Sequence, residues 1–178
     1  MLQVVRRKKT LFSKRNAVQA DAGALPFADA SIDVVFSNLM LPWAGDLDTV
    51  FASVARVLRK DGLFVFSTLG PDSFIEIRDA WRTVDSGEHV HRFPDMHDIG
   101  DGLVRAGLAD PVLDVDRLAV TYEDDDRLFS DLARVGGEPD GAAARDGSFQ
   151  ERLGNARLHE SLDETAHGAR ALREVVLF

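Results

Sequence analysis

Between residues 21 and 43 the chain reads DAGALPFADASIDVVFSNLMLPW, and side chains capable of recognition chemistry fall there at fixed spacing. Asp21 follows a short apolar run (Ala17, Val18). Its carboxylate can accept from a ligand's amine or cap the turn that follows. Ser37 and Asn38 close the apolar run 32–36. A strand there delivers both residues to its carboxyl end, where open parallel α/β sheets hold ligands. His89, His91 and His97 form an H-x-H-x5-H pattern, a loose spacing for metal ligation, and a structural or pocket-lining role is favoured. No Ser-His-Asp or paired-carboxylate constellation is visible, so no catalytic residue is assigned. No glycine-rich loop precedes Asp21.

The elements that must position these residues follow from periodicity and punctuation. Residues 1–9 suit a helix with Leu2 and Val5 on one face. Residues 17–20 suit a short strand and 32–37 a fully buried one, with Leu25-Pro26-Phe27 as a stiff turn between them. Asp46 is a good N-cap for a helix that sets Leu47, Val50, Phe51, Val54 and Leu58 on one face. Lys60-Asp61-Gly62 is expected to close that helix, and residues 63–68 make an apolar strand. A turn at Gly70-Pro71-Asp72 leads to a helix through about Trp81. A second helix ends near Ala106-Gly107, and a strand (112–122) and a helix (125–135) follow. Alternation of this kind predicts βαβ units and a mainly parallel sheet. After Gly136 the composition turns to Gly, Ala, Arg and Glu, and 175–178 is strand-like but brief.

At 178 residues, with 45% apolar content, the chain can bury a single core. Its apolar runs are too short for a membrane span. Cysteine is absent, which excludes disulfides and thiolate metal sites. The N-terminal order, apolar then basic, is the reverse of a secretory signal, so a cytoplasmic location is expected. The net charge is −9, with six basic residues and no acid ahead of Asp21, which leaves −15 on the remainder. So acidic a body argues against general nucleic-acid binding.

The order of acidic strand end, LPF turn, IDVVFSNLMLPW, helix and LRKDGLFVFST resembles class I S-adenosylmethionine-dependent methyltransferases. FSNLMLPW, FSTLGPDSFIEIRDAW, HVHRFPDMHDIGDGLVRAGLADPVLDVDRLAVTY and DLARVGG resemble more closely the malonyl-[acyl-carrier protein] O-methyltransferase family of biotin synthesis. The likeness covers roughly residues 1–137, with 138–178 as a separate C-terminal segment. It implies an α/β fold built on a partial doubly wound, Rossmann-like sheet, S-adenosylmethionine as cofactor and a malonyl thioester on an acyl-carrier protein as partner. By resemblance, Asp21 pairs with the adenine amino group, Ala22 donates its backbone N–H to the ring, and Ser37, Asn38 and Leu39 border the sulfonium. Trp43 covers cofactor or substrate, although LPW stands where the family has LQW. Arg78, His91 and Arg92 are candidate cations for the malonyl carboxylate.

The resemblance also implies a first strand with a glycine-rich loop, and a second strand ending in an acid that binds ribose. Neither is present in this sequence. Strands 17–20 and 32–37 are therefore expected to lose neighbours and expose apolar surface, and the chain alone is expected to bind S-adenosylmethionine weakly or not at all. A start codon placed too late, a decayed gene, or a fragment working with a partner chain would each produce such a sequence. Two further readings stand beside the first: a methyltransferase for another small acid or a protein, and an inactive remnant serving as a binding or assembly module.

Overall fold

Where two parallel strands must be joined, the chain needs a return path along the sheet, and here a helix supplies it. The computed structural model describes residues 16–84, 86–88, 90–122, 127, 128, 130 and 131, and the backbone of 170–177. Strand β1 (Ile32–Asn38) leads through helix α1 (Leu47–Val57) to the parallel strand β2 (Leu58–Leu69). Helices α2 (Ile75–Val84) and α3 (Met96–Arg105) follow, then strands β3 (Asp114–Thr121) and β4 (Arg170–Leu177). The sheet order is β1-β2-β4-β3, and β4 runs antiparallel to both of its neighbours. The sheet is thus mixed, where alternation predicted a mainly parallel one. Strand β4 enters from the far end of the sequence and lies in the middle.

Helix α1 forms as its residues dictate. The Asp46 side chain accepts from the Asp48 N–H at 3.0 Å and from the Thr49 hydroxyl. Val50, Phe51, Val54 and Val57 are buried along one stripe. Val50, Phe51 and Val54 meet Phe66 of β2 and Ile99 and Leu103 of α3, while Phe64 and Phe66 stack at 4.6 Å. Full burial of such side chains contributes about 1.5–3 kcal/mol each. On the opposite face Ile77, Ala80 and Trp81 of α2 pack with Leu69, Phe74 and Leu128. Helix α3 stops in a Schellman motif, in which Gly107 at φ 86° lets the Leu108 N–H reach the Leu103 carbonyl at 3.0 Å.

Several expectations are corrected. Residues 17–20 form no strand, because a strand exists through its ladder partner and none of the described residues pairs with them. Strand β1 is not fully buried: Val35 and Ser37 point into the α1 face, while Val34 and Phe36 point the other way and are 56% and 72% exposed. β1 is the edge of the described sheet. Helix α1 ends at Val57, not at Lys60-Asp61-Gly62. Those three residues instead form a kink inside β2, where Ile32 faces Leu58 but Val34 already faces Leu63. The short strand at 175–178 is in fact eight residues long, starting at Arg170. The expected helix 1–9 lies outside the described residues. Of the helix at 125–135 only residues 127, 128, 130 and 131 are described, and they are helical.

The kink explains one glycine. A Cβ at Gly62 would lie 2.9 Å from the Arg59 carbonyl oxygen and 3.2 Å from that of Asp33, both backbone atoms. Gly45 has open space around it. Gly62→Ala should lower unfolding stability by about 1–3 kcal/mol in urea titrations, against a change within about 0.5 kcal/mol for Gly45→Ala. Equal midpoints for the two variants would contradict this account. A second expectation concerns acid. The Thr49 hydroxyl, aided by the backbone N–H groups of Thr49 and Asp48, holds the Asp46 carboxyl below its ordinary value. A lowered folded pKa adds stability above the unfolded value of about 3.9, which is lost as pH falls through the folded one. Asp46→Asn keeps a capping oxygen but cannot titrate, so its stability should fall less between about pH 4 and pH 2 than that of the parent.

Candidate functional site

Three groups of expected site residues can be placed. The first is the turn Ala22–Ala24, which Asp21 caps by accepting from the Gly23 N–H at 2.8 Å. The turn is fastened to α1. The Leu25 N–H donates to the buried Ser53 hydroxyl at 3.0 Å. Arg56 donates to the Leu25 and Phe27 carbonyls at 2.6 and 2.9 Å and pairs with Asp29 at 2.6 Å. Gly23 sits so close to α1 that a Cβ there would meet Thr49 Cγ2 at 2.9 Å. Capping engages one carboxylate oxygen of Asp21 and leaves the other exposed, and the Ala22 N–H lies in the first turn, where helical N–H groups have no internal partner.

The second group stands at the carboxyl ends of β1 and β2. Asn38 Oδ1 accepts from the Ser67 hydroxyl at 2.6 Å, and the Leu39 N–H donates to both the carbonyl and the hydroxyl oxygen of Ser67, at 3.0 and 3.2 Å. Leu39 has φ 52°, a left-handed conformation that a branched side chain adopts only when its surroundings impose it. Its side chain is half-buried against the Leu69–Phe74–Trp81 cluster. The Ser37 hydroxyl is buried and has no hydrogen-bond partner among the described residues. Ser67 escaped the sequence reading; its signal was a small polar residue at the end of an apolar strand. Asp33, at the other end of β1, pairs with Arg59 at 2.5 Å on the surface.

The third group is cationic. Arg78, Arg82 and Arg92 line a cavity of about 100 Å³ beside Trp81 and Val90. Burial, then the neighbouring guanidinium of Arg82, holds the Arg78 pKa below its ordinary value, with Arg92 adding to this; the group stays charged. Arg78 donates to the Pro71 and Ser73 carbonyls at 2.8 and 2.9 Å, Arg82 pairs with Asp79 at 2.5 Å, and Arg92 pairs with Glu88 at 2.9 Å. Arg82 was missed in the sequence, although its i+4 spacing from Arg78 put it on the same helix face. His91 does not join the arginines in this cavity; its ring meets Trp43 edge-on at 6.2 Å. Trp43 is half exposed in the turn Leu41–Trp43, where Pro42 falls at a position that needs no N–H. His97 pairs with Asp95 at 2.7 Å, and His89 lies outside the described residues. Among the described residues no group of three or more His, Asp or Glu side chains could hold a metal ion, and no helix is long and apolar enough to cross a membrane.

Residues 1–66 match a family model described as a methyltransferase domain. Among solved structures, a putative methyltransferase from Bacillus halodurans aligns at TM-score 0.56 and 15% identity, covering 90% of this chain and 74% of that one. The YcgJ protein from Bacillus subtilis aligns at 0.53 and 19%, covering 90% and 68%. These likenesses speak for the fold alone, and the matched sequence model adds a likeness to methyltransferase domains over residues 1–66. In sequence it is similar to malonyl-[acyl-carrier protein] O-methyltransferases. That of Gallionella capsiferriformans is 45% identical over 147 residues, which are 83% of this chain and 50% of that protein. That of Laribacter hongkongensis is 42% identical over 173 residues, 96% and 58% respectively. That of Methylovorus is 50% identical over 125 residues, 70% and 42% respectively. The chain spans about half the length of these curated relatives.

One expectation tests the fork at the strand ends. Ser67→Ala removes the hydroxyl that bridges Asn38 to the Leu39 N–H but keeps the carbonyl contact. Stability should drop by about 1 kcal/mol, and the Leu39 amide should exchange with solvent faster than in the parent. Unchanged exchange at Leu39 would mean that the fork does not hold the loop.

Proposed function

We propose that this chain carries the adenine side of an S-adenosylmethionine site together with the border of a methyl-transfer pocket, and that the acceptor is the free carboxylate of a malonyl thioester on an acyl-carrier protein. The observation that carries the reading is 45–50% identity, over most of the chain, to proteins bearing that activity's name. The residues present are chemically suited to the cofactor. The free oxygen of Asp21 and the Ala22 N–H offer an acceptor and a donor one residue apart, the pair an aminopurine edge requires. The Ser37 hydroxyl, without a partner among the described residues, and the positive φ of Leu39 support a role for the end of β1 besides packing.

When bound, S-adenosylmethionine supplies a methyl group on a sulfonium, already a good leaving group. The acceptor carboxylate is ionised at neutral pH. The protein therefore needs no general acid or base; it contributes alignment and exclusion of water. In this reading Asp21 and Ala22 fix the adenine, Ser37, Asn38 and Leu39 border the reacting centre, and Trp43 with His91 shields it. Arg78 and Arg92 hold the malonyl carboxylate, with Arg82 keeping the local field positive. Arg78 spends donors of a single nitrogen on the 71–73 turn, which leaves the rest of its fork for an anion. Such an activity belongs to biotin synthesis.

The test joins the N-terminal part of the Gallionella relative, up to its matched region, to this chain. The chimera should bind S-adenosylmethionine in calorimetry and add one methyl mass to malonyl-acyl-carrier protein, while the isolated 178 residues bind the cofactor much more weakly. Asp21→Ala should weaken binding by about tenfold, the loss of one charged hydrogen bond. A folded chimera that binds cofactor but leaves malonyl-acyl-carrier protein unmodified would end the substrate assignment. A folded chimera without cofactor binding would end the cofactor assignment.

A further inference from the structure

Arg56, in the last turn of α1, gathers the segment that joins the turn at 22–24 to β1. One terminal nitrogen of its guanidinium donates to the Phe27 carbonyl at 2.9 Å and to the Asp29 carboxylate at 2.6 Å. The other donates to the Leu25 carbonyl at 2.6 Å. The backbone of the same helix end completes the seam. The Arg56 carbonyl accepts from the Ala30 N–H at 3.0 Å, and that of Val57 accepts from the Ser31 N–H at 2.9 Å. Two carbonyls without a partner inside the helix are satisfied in this way. Leu25 is fixed by both of its backbone groups, since its N–H donates to the Ser53 hydroxyl, one turn earlier in α1, at 3.0 Å. Next to it the Ala24 N–H donates to the Asp21 carbonyl at 3.1 Å, which ties Asp21 to that fixed point.

We propose that Arg56 is a positioning residue for cofactor recognition: its fork sets the turn that presents Asp21 and Ala22, and so decides how sharply an aminopurine is told from other purines. The inference rests on the adenine-side reading above and adds a residue that acts only through the turn. The argument is a contrast between stability and placement. The Arg56 and Asp29 side chains are 40% and 77% exposed, and a surface ion pair contributes little to folding. Yet the three acceptors, drawn from residues 25, 27 and 29, become one unit with the helix end. A carboxylate and an N–H one residue apart select an amine over a carbonyl only when both are held at fixed geometry, and ordering them in advance spares that cost at binding. The planar fork matters as much as its charge. Lysine has one nitrogen where arginine uses two, so it cannot meet the Leu25 and Phe27 carbonyls together in this geometry. Arg59, three residues on, makes a similar exposed pair with Asp33 at 2.5 Å but donates to none of residues 21–29.

The test compares S-adenosylhomocysteine with S-inosylhomocysteine, in which an oxygen replaces the adenine amino group, by calorimetry on the chimera with the Gallionella relative. The parent chimera should prefer the adenine compound by at least about tenfold, since that oxygen opposes the Asp21 carboxylate. Arg56→Gln should weaken S-adenosylhomocysteine by about tenfold and cut the preference to about threefold or less. Arg56→Lys should behave as Arg56→Gln does, and Arg59→Gln should match the parent. In the 178-residue chain itself, Arg56→Gln should speed amide exchange at Leu25 and leave the melting temperature within about 3 °C of the parent. An Arg56→Gln chimera that keeps the parent's preference would overturn the proposal, as would full rescue by lysine or an equal loss in Arg59→Gln. A larger fall in melting temperature would do so too, because Arg56 would then hold the fold rather than the turn. A parent chimera that binds neither compound, or both equally, ends the adenine-side reading and this role with it; a selective parent with an equally selective variant ends the role alone.

Discussion

Parallel pairing of β1 with β2 is the constraint from which the rest of the described structure follows. Two parallel strands cannot be joined by a hairpin, so α1 must carry the chain back along the sheet. Its inner stripe, Val50, Phe51 and Val54, then fixes the depth of the core against Phe64 and Phe66. Its other residues serve as anchors: Ser53 and Arg56 hold the segment 22–29, and Asp48 reaches across to Arg105 of α3 at 2.9 Å. Both strands therefore end at the same edge of the sheet. The Asn38–Ser67 fork exists because the register sets Asn38 opposite Ser67.

That edge departs from relaxed geometry. Leu39 is held at positive φ by two hydrogen bonds to a single residue, and Ser37 keeps a hydroxyl buried without a partner among the described residues. Each is a cost of roughly 1–3 kcal/mol that packing elsewhere must cover. The cost is concentrated in three consecutive residues, at the point where the fold class binds its ligands. The arginine cavity shows the same logic in charge: three guanidinium groups beside Trp81 are tolerated because each is tied to a carboxylate or to backbone carbonyls.

Legibility in the sequence followed the range of the determining contacts. The helix after Asp46 was readable because cap and stripe lie within eleven residues, and the strand end at Ser37-Asn38 because apolar runs have visible limits. The family motifs told fold and kinship, which sequence comparison and solved structures bear out. What failed was non-local. Whether 17–20 becomes a strand depends on a partner elsewhere, and β1 reads as an evenly apolar run although one of its faces meets no helix among the described residues. The kink at 59–62 looked like a helix stop because Lys-Asp-Gly serves either purpose, and only the β1 register distinguishes them. The antiparallel β4 was glimpsed in its last residues, since its first five residues carry charges at Arg170, Arg173 and Glu174 that disguise a strand. Ser67 and Arg82 matter through what they face, which no spacing records.

The contact between Gly23 and Thr49 reaches beyond stability. A side chain at 23 has no room unless the one at 49 shrinks, and Thr49 also donates to the cap that starts α1. Position 23 is thus tied to the helix cap through one residue, although it belongs to a turn 26 residues earlier in the chain. For the lineage this means correlated drift: an alanine or serine at 23 is favoured where position 49 has lost its methyl group, and a residue at 49 that also lacks the hydroxyl gives up the donor to the Asp46 cap. The turn at 22–24 and the crossover helix are therefore coupled in inheritance through position 49.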